Sequence, residues 1–185
     1  MGPLILSLCD HSGEWSRPYA EAGYDVRRVD LKSGQDVRLL EHVGEPVHGI
    51  LAAPPCDHFA LSGARWWEAK GNQAVLDGLA VVDACLRAVA IYRPIWWALE
   101  NPVGRLRRWI GPPAWSFDPC DFGDPYTKRT HLWGHFTPPC PLVSRQARQP
   151  VAATMGSMMH TMVRDKAKRS ITPAGFARAF FEANP

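Results

Sequence analysis

The sequence has little of what a membrane or secreted protein needs. Its 185 residues contain no apolar run near the roughly 20 residues of a membrane-spanning helix. The start, MGPLILSLCDHSGEW, has only a short apolar stretch and no basic leader. The five cysteines are an odd number at irregular spacing, which disfavours a disulfide framework. We therefore expect a cytoplasmic protein with reduced thiols and no membrane partner.

Internal repeats and coiled-coil heptads are also absent from the sequence. A composition of 46% apolar and 21% charged residues fits one globular domain over residues 1–185 with a single core. The net charge of +3 is uneven, because residues 1–140 carry 14 basic and 16 acidic groups, whereas residues 141–185 carry 7 and 2. The basic end predicts a phosphate-facing surface, and a solvated tail is the alternative.

Short apolar runs alternate with helical patterns in the first part of the chain. Helices are predicted up to about Glu21, over residues 37–42 and over residues 72–90. Buried strands are predicted in PLILSLC, YDVRRVDL, GILAAPP and PIWWALE (residues 3–9, 24–31, 49–55 and 94–100). This alternation predicts an α/β fold: a mostly parallel, Rossmann-like sheet with helices on both faces.

Prolines punctuate the chain after residue 101, so this part is predicted to be rich in loops. One strand pair is predicted around THLWGHF (residues 130–136), and a closing helix is predicted in TPAGFARAFFEAN (residues 172–184). Residues 144–163 lack a regular period and are predicted to form a mobile loop.

Polar and thiol side chains follow the predicted parallel strands, at the edge where such sheets bind ligands. Asp30 and Asp36 carry acceptors that suit a nucleoside, and ordinary surface aspartates are the alternative. Cys56 follows two prolines that rigidify the backbone, so its thiol is either a nucleophile or a buried inert side chain. Glu100 follows an apolar strand, where it either donates a hydrogen bond as a neutral carboxyl or binds backbone amides near Gly104.

Four segments occur in the order PPCDHFALSG, WALENP, YTKRTHLWG and RSITPAGFARAFF. In that order they resemble the C5-specific DNA cytosine methyltransferases, with their Pro-Pro-Cys loop, Glu-Asn motif, basic motif and C-terminal Arg-x-x-Thr motif. The resemblance covers essentially the whole chain. It implies a methyltransferase fold that moves a methyl group from S-adenosylmethionine to C5 of cytosine in DNA, through a covalent adduct of Cys56.

Three sets of site residues are predicted, and no metal is expected. The resemblance implies the first two sets and Lys128, whereas the basic charge of residues 141–185 indicates the rest of the third set. The catalytic set is Cys56, Glu100, Asn101 and Arg129. The cofactor-binding set is Cys9, Asp10, His11, Gly13, Asp30, Asp36 and Pro54. The DNA-binding set is Lys128, Arg145, Arg148, Arg164, Lys166, Lys168 and Arg169.

The chain departs from the family pattern in four places. His11 stands where the cofactor loop has glycine, and His131 where the basic motif has a second arginine. Gly175 and Phe176 replace the glutamate region of the last motif. About forty residues stand in place of the family's target-recognition domain. A separate recognition subunit is therefore a candidate partner beside DNA.

Three other hypotheses stay open at this point. The missing recognition domain allows the same chemistry on a free pyrimidine nucleotide or on RNA. The altered cofactor loop favours a non-catalytic accessory subunit. The third hypothesis is a zinc site. Its candidate ligands are of the residue types that bind zinc but lack the usual spacing: Cys120, His131, His135 and Cys140.

Overall fold

Six β-strands form one sheet in the computed structural model, which describes residues 2–124, 126–142 and 170–185. They are β1 (Leu4–Leu8), β2 (Asp25–Val29), β3 (Val47–Ala52), β4 (Trp96–Pro102), β5 (Trp115–Phe117) and β6 (Thr130–His135). Their order across the sheet is β2-β1-β3-β4-β6-β5. Strands β1 to β4 run parallel, whereas β6 runs antiparallel to β4 and β5. The predicted mostly parallel sheet is confirmed.

Helices cover both faces of this sheet. They are α1 (Arg17–Glu21), α2 (Trp67–Tyr92), α3 (Arg107–Ile110) and α4 (Ala174–Ala183), with 3-10 turns at Leu31–Ser33, Val37–Leu39, Leu61–Trp66 and Pro119–Phe122. Helix α2 covers one face through Val82 and Cys85. Helices α1 and α4 cover the other through Tyr19, Phe176 and Phe180. The predicted Rossmann-like α/β fold is confirmed.

Side chains of β1 alternate between these two faces, as the pleat of a strand requires. Leu4 and Leu6 belong to the cluster beneath α2, whereas Ile5 belongs to the cluster beneath α1 and α4. All five residues of β1 are buried, which explains its continuous apolar run. Burial of each such side chain stabilises the fold by about 1.5–3 kcal/mol.

Aromatic packing holds the closing helix α4 on the sheet. Phe176 is fully buried and stacks on Phe117, with ring centroids 3.9 Å apart. A Cβ at Gly175 would approach the main-chain oxygen of Phe122 to 2.1 Å. Gly175 and Phe176, which depart from the family motif, therefore serve close packing in this fold.

Several boundaries differ from the sequence-based expectations. Helix α2 begins at Trp67, earlier than predicted, and is interrupted at Gly71, whose φ of 66° is not helical. Strand β4 continues to Pro102 because β6 pairs along it. The helix predicted over residues 37–42 is the short turn Val37–Leu39. The mobile loop predicted at residues 144–163 lies outside the described residues. In the part of the chain that is described, no helix is long and apolar enough to cross a membrane.

Candidate active site

The parallel strands place the predicted catalytic and cofactor-binding residues at one edge of the sheet. The carboxyl ends of β1 to β4 meet there, and ligands of α/β sheets bind at such edges. The Cys9 N–H donates to the Val29 oxygen at 2.7 Å, and the Ala53 N–H donates to the Leu8 oxygen at 2.9 Å. The loop after β1 and the turn that carries Cys56 therefore start side by side.

Cys56 lies on a rigid turn directly after β3. Pro54 and Pro55 restrict the backbone before it. Its main-chain oxygen accepts hydrogen bonds from the N–H groups of Phe59 and Ala60, both at 2.9 Å. The residue is half-buried with a free thiol. A thiol on a fixed backbone that still reaches solvent is suited to attack a bound substrate.

Asn101 holds this turn from the neighbouring strand β4. Its side chain is fully buried, and its Nδ2 donates to the main-chain oxygen of Pro54 at 3.0 Å. Its Oδ1 is enclosed and accepts no hydrogen bond from the described residues. The family resemblance predicts Asn101 in the catalytic set just after the strand. The structure places it inside β4, where its side chain holds the turn of Cys56.

Burial and neighbouring charges set the titration of Cys56 and Glu100. Burial is the largest cause of the raised pKa of the Cys56 thiol; Glu100 raises that pKa further and Lys128 opposes the rise. Burial also raises the pKa of the Glu100 carboxyl, again opposed by Lys128. The three groups therefore lie close enough to sense one another's charge. Glu100 in its neutral form is a hydrogen-bond donor.

The basic pair Lys128 and Arg129 reaches the same edge because β6 runs antiparallel. Thr130 is in register with Pro102, so the residues before β6 meet the carboxyl end of β4. The Arg129 guanidinium pairs with Asp118 at 3.3 Å, and its side chain is 54% exposed. Arg129, which is predicted in the catalytic set, thus forms an ion pair with the carboxylate of Asp118. The cation that acts on the thiol is Lys128, which was predicted to bind DNA.

Asp10 organises the loop between β1 and α1. Its buried carboxylate accepts hydrogen bonds from the hydroxyl groups of Ser7, Ser12 and Ser16 and from the Gly13 N–H, at 2.8 to 3.2 Å. These donors occupy both oxygens of the carboxylate. Asp10, predicted to bind the cofactor, therefore acts through the shape of the loop.

Two aspartates at this edge differ as acceptors. Asp30 accepts from the Lys32 N–H at 2.8 Å, and the Nδ1 of His11 lies 4.0 Å from the same carboxylate. Asp36 is engaged by side-chain and backbone N–H groups of Arg38, which lower its pKa to about 2. A main-chain N–H occupies one oxygen of Asp30, whereas Arg38 occupies both oxygens of Asp36. The Asp30 carboxylate therefore retains more acceptor capacity than Asp36 does.

The chain is similar in fold to a solved bacterial prophage protein. That crystal structure is of a protein assigned as a DNA modification methyltransferase and encoded within an E. coli prophage. The similarity has a TM-score of 0.49 at 18% identity and covers 72% of this chain. This chain spans 46% of the length of that protein. No protein-family model matches the chain, and no curated protein matches it by sequence. The evidence for function therefore lies in the residues of the site.

Six of the predicted DNA-binding residues lie outside the part of the chain that the structure describes. They are Arg145, Arg148, Arg164, Lys166, Lys168 and Arg169. Their contact with DNA stays a prediction.

The zinc hypothesis finds no support in the described residues, where no three His, Cys, Asp or Glu side chains are grouped to hold a metal ion. His131 and His135 lie four residues apart on β6, about 13 Å at the rise of a strand. The Nδ1 of His131 lies 2.7 Å from the Ser116 hydroxyl oxygen instead. Cys120 is buried, whereas Cys140 is exposed.

A basic segment just after β4 completes this edge and is not among the sequence-based predictions. The Nε of Arg105 donates to the His58 main-chain oxygen at 2.7 Å, and the guanidinium lies 4.5 Å from the centre of the Trp67 ring. Arg107 and Arg108 follow on α3 and are exposed. The signal in the sequence is the run RLRRW directly after WALENPVG, which contains three arginines and no acidic residue.

Proposed function

We propose that the protein is a DNA methyltransferase that acts on C5 of cytosine through a covalent adduct of Cys56. The arrangement of Cys56 on its proline turn beside Glu100, with the charge of Lys128 acting on both, carries this proposal. A soft nucleophile attacks C6 of a pyrimidine ring when a hydrogen-bond donor stabilises the negative charge that enters the ring. The thiol and the neutral carboxyl supply these two functions.

Cys56 starts the proposed reaction as a thiolate. Its Sγ forms a bond to C6 of the cytosine, which pushes electron density through the ring towards N3. Glu100 in its neutral form, which burial favours, donates a hydrogen bond at N3 and accepts one from the exocyclic amine. C5 thereby becomes nucleophilic. After C5 has been methylated, water takes its proton, and the electrons of that C–H bond form the C5–C6 double bond and expel Sγ from C6 as the thiolate, which restores the aromatic ring.

The two raised pKa values act together in this step. A charged Glu100 opposes ionisation of the Cys56 thiol. Protonation of Glu100 removes that opposition, so that burial is the main remaining cause of the raised pKa and Lys128 opposes it. A substrate that holds Glu100 neutral therefore also activates Cys56.

S-Adenosylmethionine would be held by the loop of residues 9–13 and by Asp30. When bound, it supplies an electrophilic methyl group. Asp10 fixes the shape of the loop, and Asp30 offers an acceptor for a ribose hydroxyl. Asp36 and Pro54 complete the proposed set at the same edge of the sheet.

The position of Cys56 determines how DNA must be presented. C6 of a base in a stacked duplex is not accessible to a thiol, so the cytosine must be flipped out or lie in a single strand. A separate subunit that reads the DNA sequence is part of this proposal, because about forty residues replace the family's recognition domain.

Covalent trapping tests the proposal. The protein is mixed with S-adenosylmethionine and with DNA that carries 5-fluorocytosine in many sequence contexts. Fluorine does not leave as a proton does, so the reaction stalls as an adduct that intact mass spectrometry detects. Cys56→Ala must lose the adduct. Cys140→Ala, which removes an exposed thiol elsewhere, must keep it.

Other outcomes of the trapping experiment point to other functions. An adduct that survives Cys56→Ala would show that the nucleophile is misassigned. An adduct with 5-fluoro-dCMP or with RNA, but none with DNA, would show that the substrate is a free nucleotide or RNA and not DNA. Absence of an adduct, with S-adenosylmethionine bound only in the presence of a second chain, would indicate an accessory subunit.

A further inference from the structure

Two arginines beside the candidate active site have no carboxylate partner among the described residues. Arg107 and Arg108 are exposed on α3, just after β4. Other arginines at this edge form ion pairs, as Arg129 does with Asp118. Neither Arg107 nor Arg108 lies within ion-pair distance of a carboxylate in residues 2–124, 126–142 and 170–185. Their charges are therefore directed to solvent.

The segment that bears these arginines is fixed to the loop that follows Cys56. The Arg105 N–H donates to the Phe59 main-chain oxygen at 2.9 Å, and its Nε donates to the His58 oxygen at 2.7 Å. The rings of Phe59 and Trp109 lie 5.9 Å apart. Helix α3 therefore stands at a defined position beside the loop that follows Cys56.

Arg105 anchors this segment through its side chain, which is partly buried. Its guanidinium lies over the ring of Trp67, with 4.5 Å to the ring centre. Its Nη2 is enclosed and makes no hydrogen bond with the described residues. Arg107 and Arg108 are the members of the run that remain available to a partner.

Positive potential extends from α3 across the edge of the sheet. Burial and then the charge of Arg108 lower the pKa of Arg105. Burial, Arg129 and then Arg107 lower the pKa of His131. Cations concentrated in this way attract anionic ligands and raise their association rates.

We propose that Arg107 and Arg108 bind phosphates of the DNA strand that carries the target cytosine; this rests on the proposed function for the identity of the substrate. A cytosine held at Cys56 brings its own backbone across this edge. Guanidinium groups stay charged and bind phosphate oxygens in a bidentate manner. Such contacts add affinity without reading sequence, which suits a chain with a shortened recognition region.

Salt-dependent binding of a short fluorescent DNA duplex tests this contact. Arg107→Gln/Arg108→Gln removes both cations from an exposed surface. We expect its Kd at low salt to rise roughly 10-fold. We also expect the slope of log K against log salt to fall in magnitude by about 2, since each lost phosphate contact removes about 0.9 from it.

Two further variants keep the test sharp. Arg93→Asn/Arg178→Gln removes the same amount of positive charge away from this edge. Arg93 follows the last residue of α2 and precedes β4, and Arg178 is exposed on α4. Asparagine tolerates the φ of 47° at position 93. This control should keep the wild-type Kd and slope. Arg107→Lys/Arg108→Lys keeps the charge and should retain the wild-type slope.

The outcomes separate this inference from the proposed function. Equal weakening by the two charge-removing double variants would overturn the contact at α3, while a wild-type Cys56 adduct would leave the function in place. Failure of the wild-type protein to bind any DNA would overturn both. A weaker Kd for Arg107→Gln/Arg108→Gln, with adduct formation retained at saturating DNA, supports a role in binding.

Discussion

Asn101 donates a hydrogen bond of 3.0 Å from its Nδ2 to the main-chain oxygen of Pro54, a residue 47 positions earlier. The bond crosses from β4 to the turn after β3. Glu100 precedes Asn101 on the same strand, and Cys56 follows Pro54 on the same turn. The nucleophile and the proton donor of the proposed reaction are thus held together by one buried side chain.

Replacement of Asn101 should loosen the turn of Cys56. Asn101→Ala leaves the Pro54 oxygen without its donor in a buried place, which we expect to cost about 1–3 kcal/mol of unfolding free energy. Urea denaturation measures this loss, and trapping with 5-fluorocytosine should be slower. Asn72→Ala, an exposed position on α2, is the control and should leave both values unchanged. Wild-type trapping by Asn101→Ala would refute the positioning role.

Charge changes at Glu100 and Lys128 should shift the reactivity of Cys56 in opposite directions. Glu100 raises the pKa of the thiol, so Glu100→Gln lowers that pKa and increases the thiolate fraction at pH 7. Lys128→Gln raises the pKa and decreases that fraction. We expect each change to alter the rate of alkylation by iodoacetamide roughly threefold or more, read at Cys56 by peptide mass spectrometry.

The pH profile of this alkylation provides the check. The midpoint for Glu100→Gln should move to lower pH, and the midpoint for Lys128→Gln to higher pH, relative to the wild-type protein. The alkylation of Cys140, which is exposed, serves as the internal control in the same samples. Midpoints that move in the same direction would contradict the charge assignment.

Release of Asp36 from Arg38 should strengthen cofactor binding. Arg38→Gln removes the side-chain donors, which are the largest cause of the Asp36 pKa of about 2, and keeps the main-chain donor, so NMR titration should show that pKa rising part of the way towards its ordinary value. The freed carboxylate can accept from an adenine amine, and calorimetry should show a lower Kd for S-adenosylmethionine. Asp36→Asn should raise this Kd instead. Equal Kd values for the two variants would remove Asp36 from the proposed cofactor site.

A methyl group at Gly104 should push the Cys56 loop away from β4. A Cβ there would lie 1.9 Å from the Phe59 main-chain oxygen, in the short pairing between Ala60 and Gly104. We expect Gly104→Ala to cost about 1–3 kcal/mol of unfolding free energy and to slow trapping. In Gly63→Ala the nearest atom would lie 3.9 Å away, so this variant in the same loop should behave as wild type.

Local patterns predicted most of the architecture. A continuous apolar run between turn residues indicates a buried strand wherever it lies in the fold, and such runs identify β1 and β3. The helical period identifies α2 and α4 for the same reason. Cys56 and Glu100 could be singled out because each comes directly after an apolar run of the sequence.

Contacts between distant segments could not be predicted in this way. Because β6 runs antiparallel to β4, the charge of Lys128 acts on the Cys56 thiol, whereas Arg129 forms an ion pair with Asp118. The run that contains Arg105 has no periodic signal of its own, and it became part of the site through its hydrogen bond to the His58 oxygen.

The sequence by itself determined which elements form and which chemical groups stand at their ends, because burial and turn preferences act over a few neighbouring residues. Only the tertiary structure decided that Asn101 holds the turn of Cys56 and that Lys128 sets its charge environment. Strand order, direction and register bring these groups together, and they are set by the packing of the whole chain.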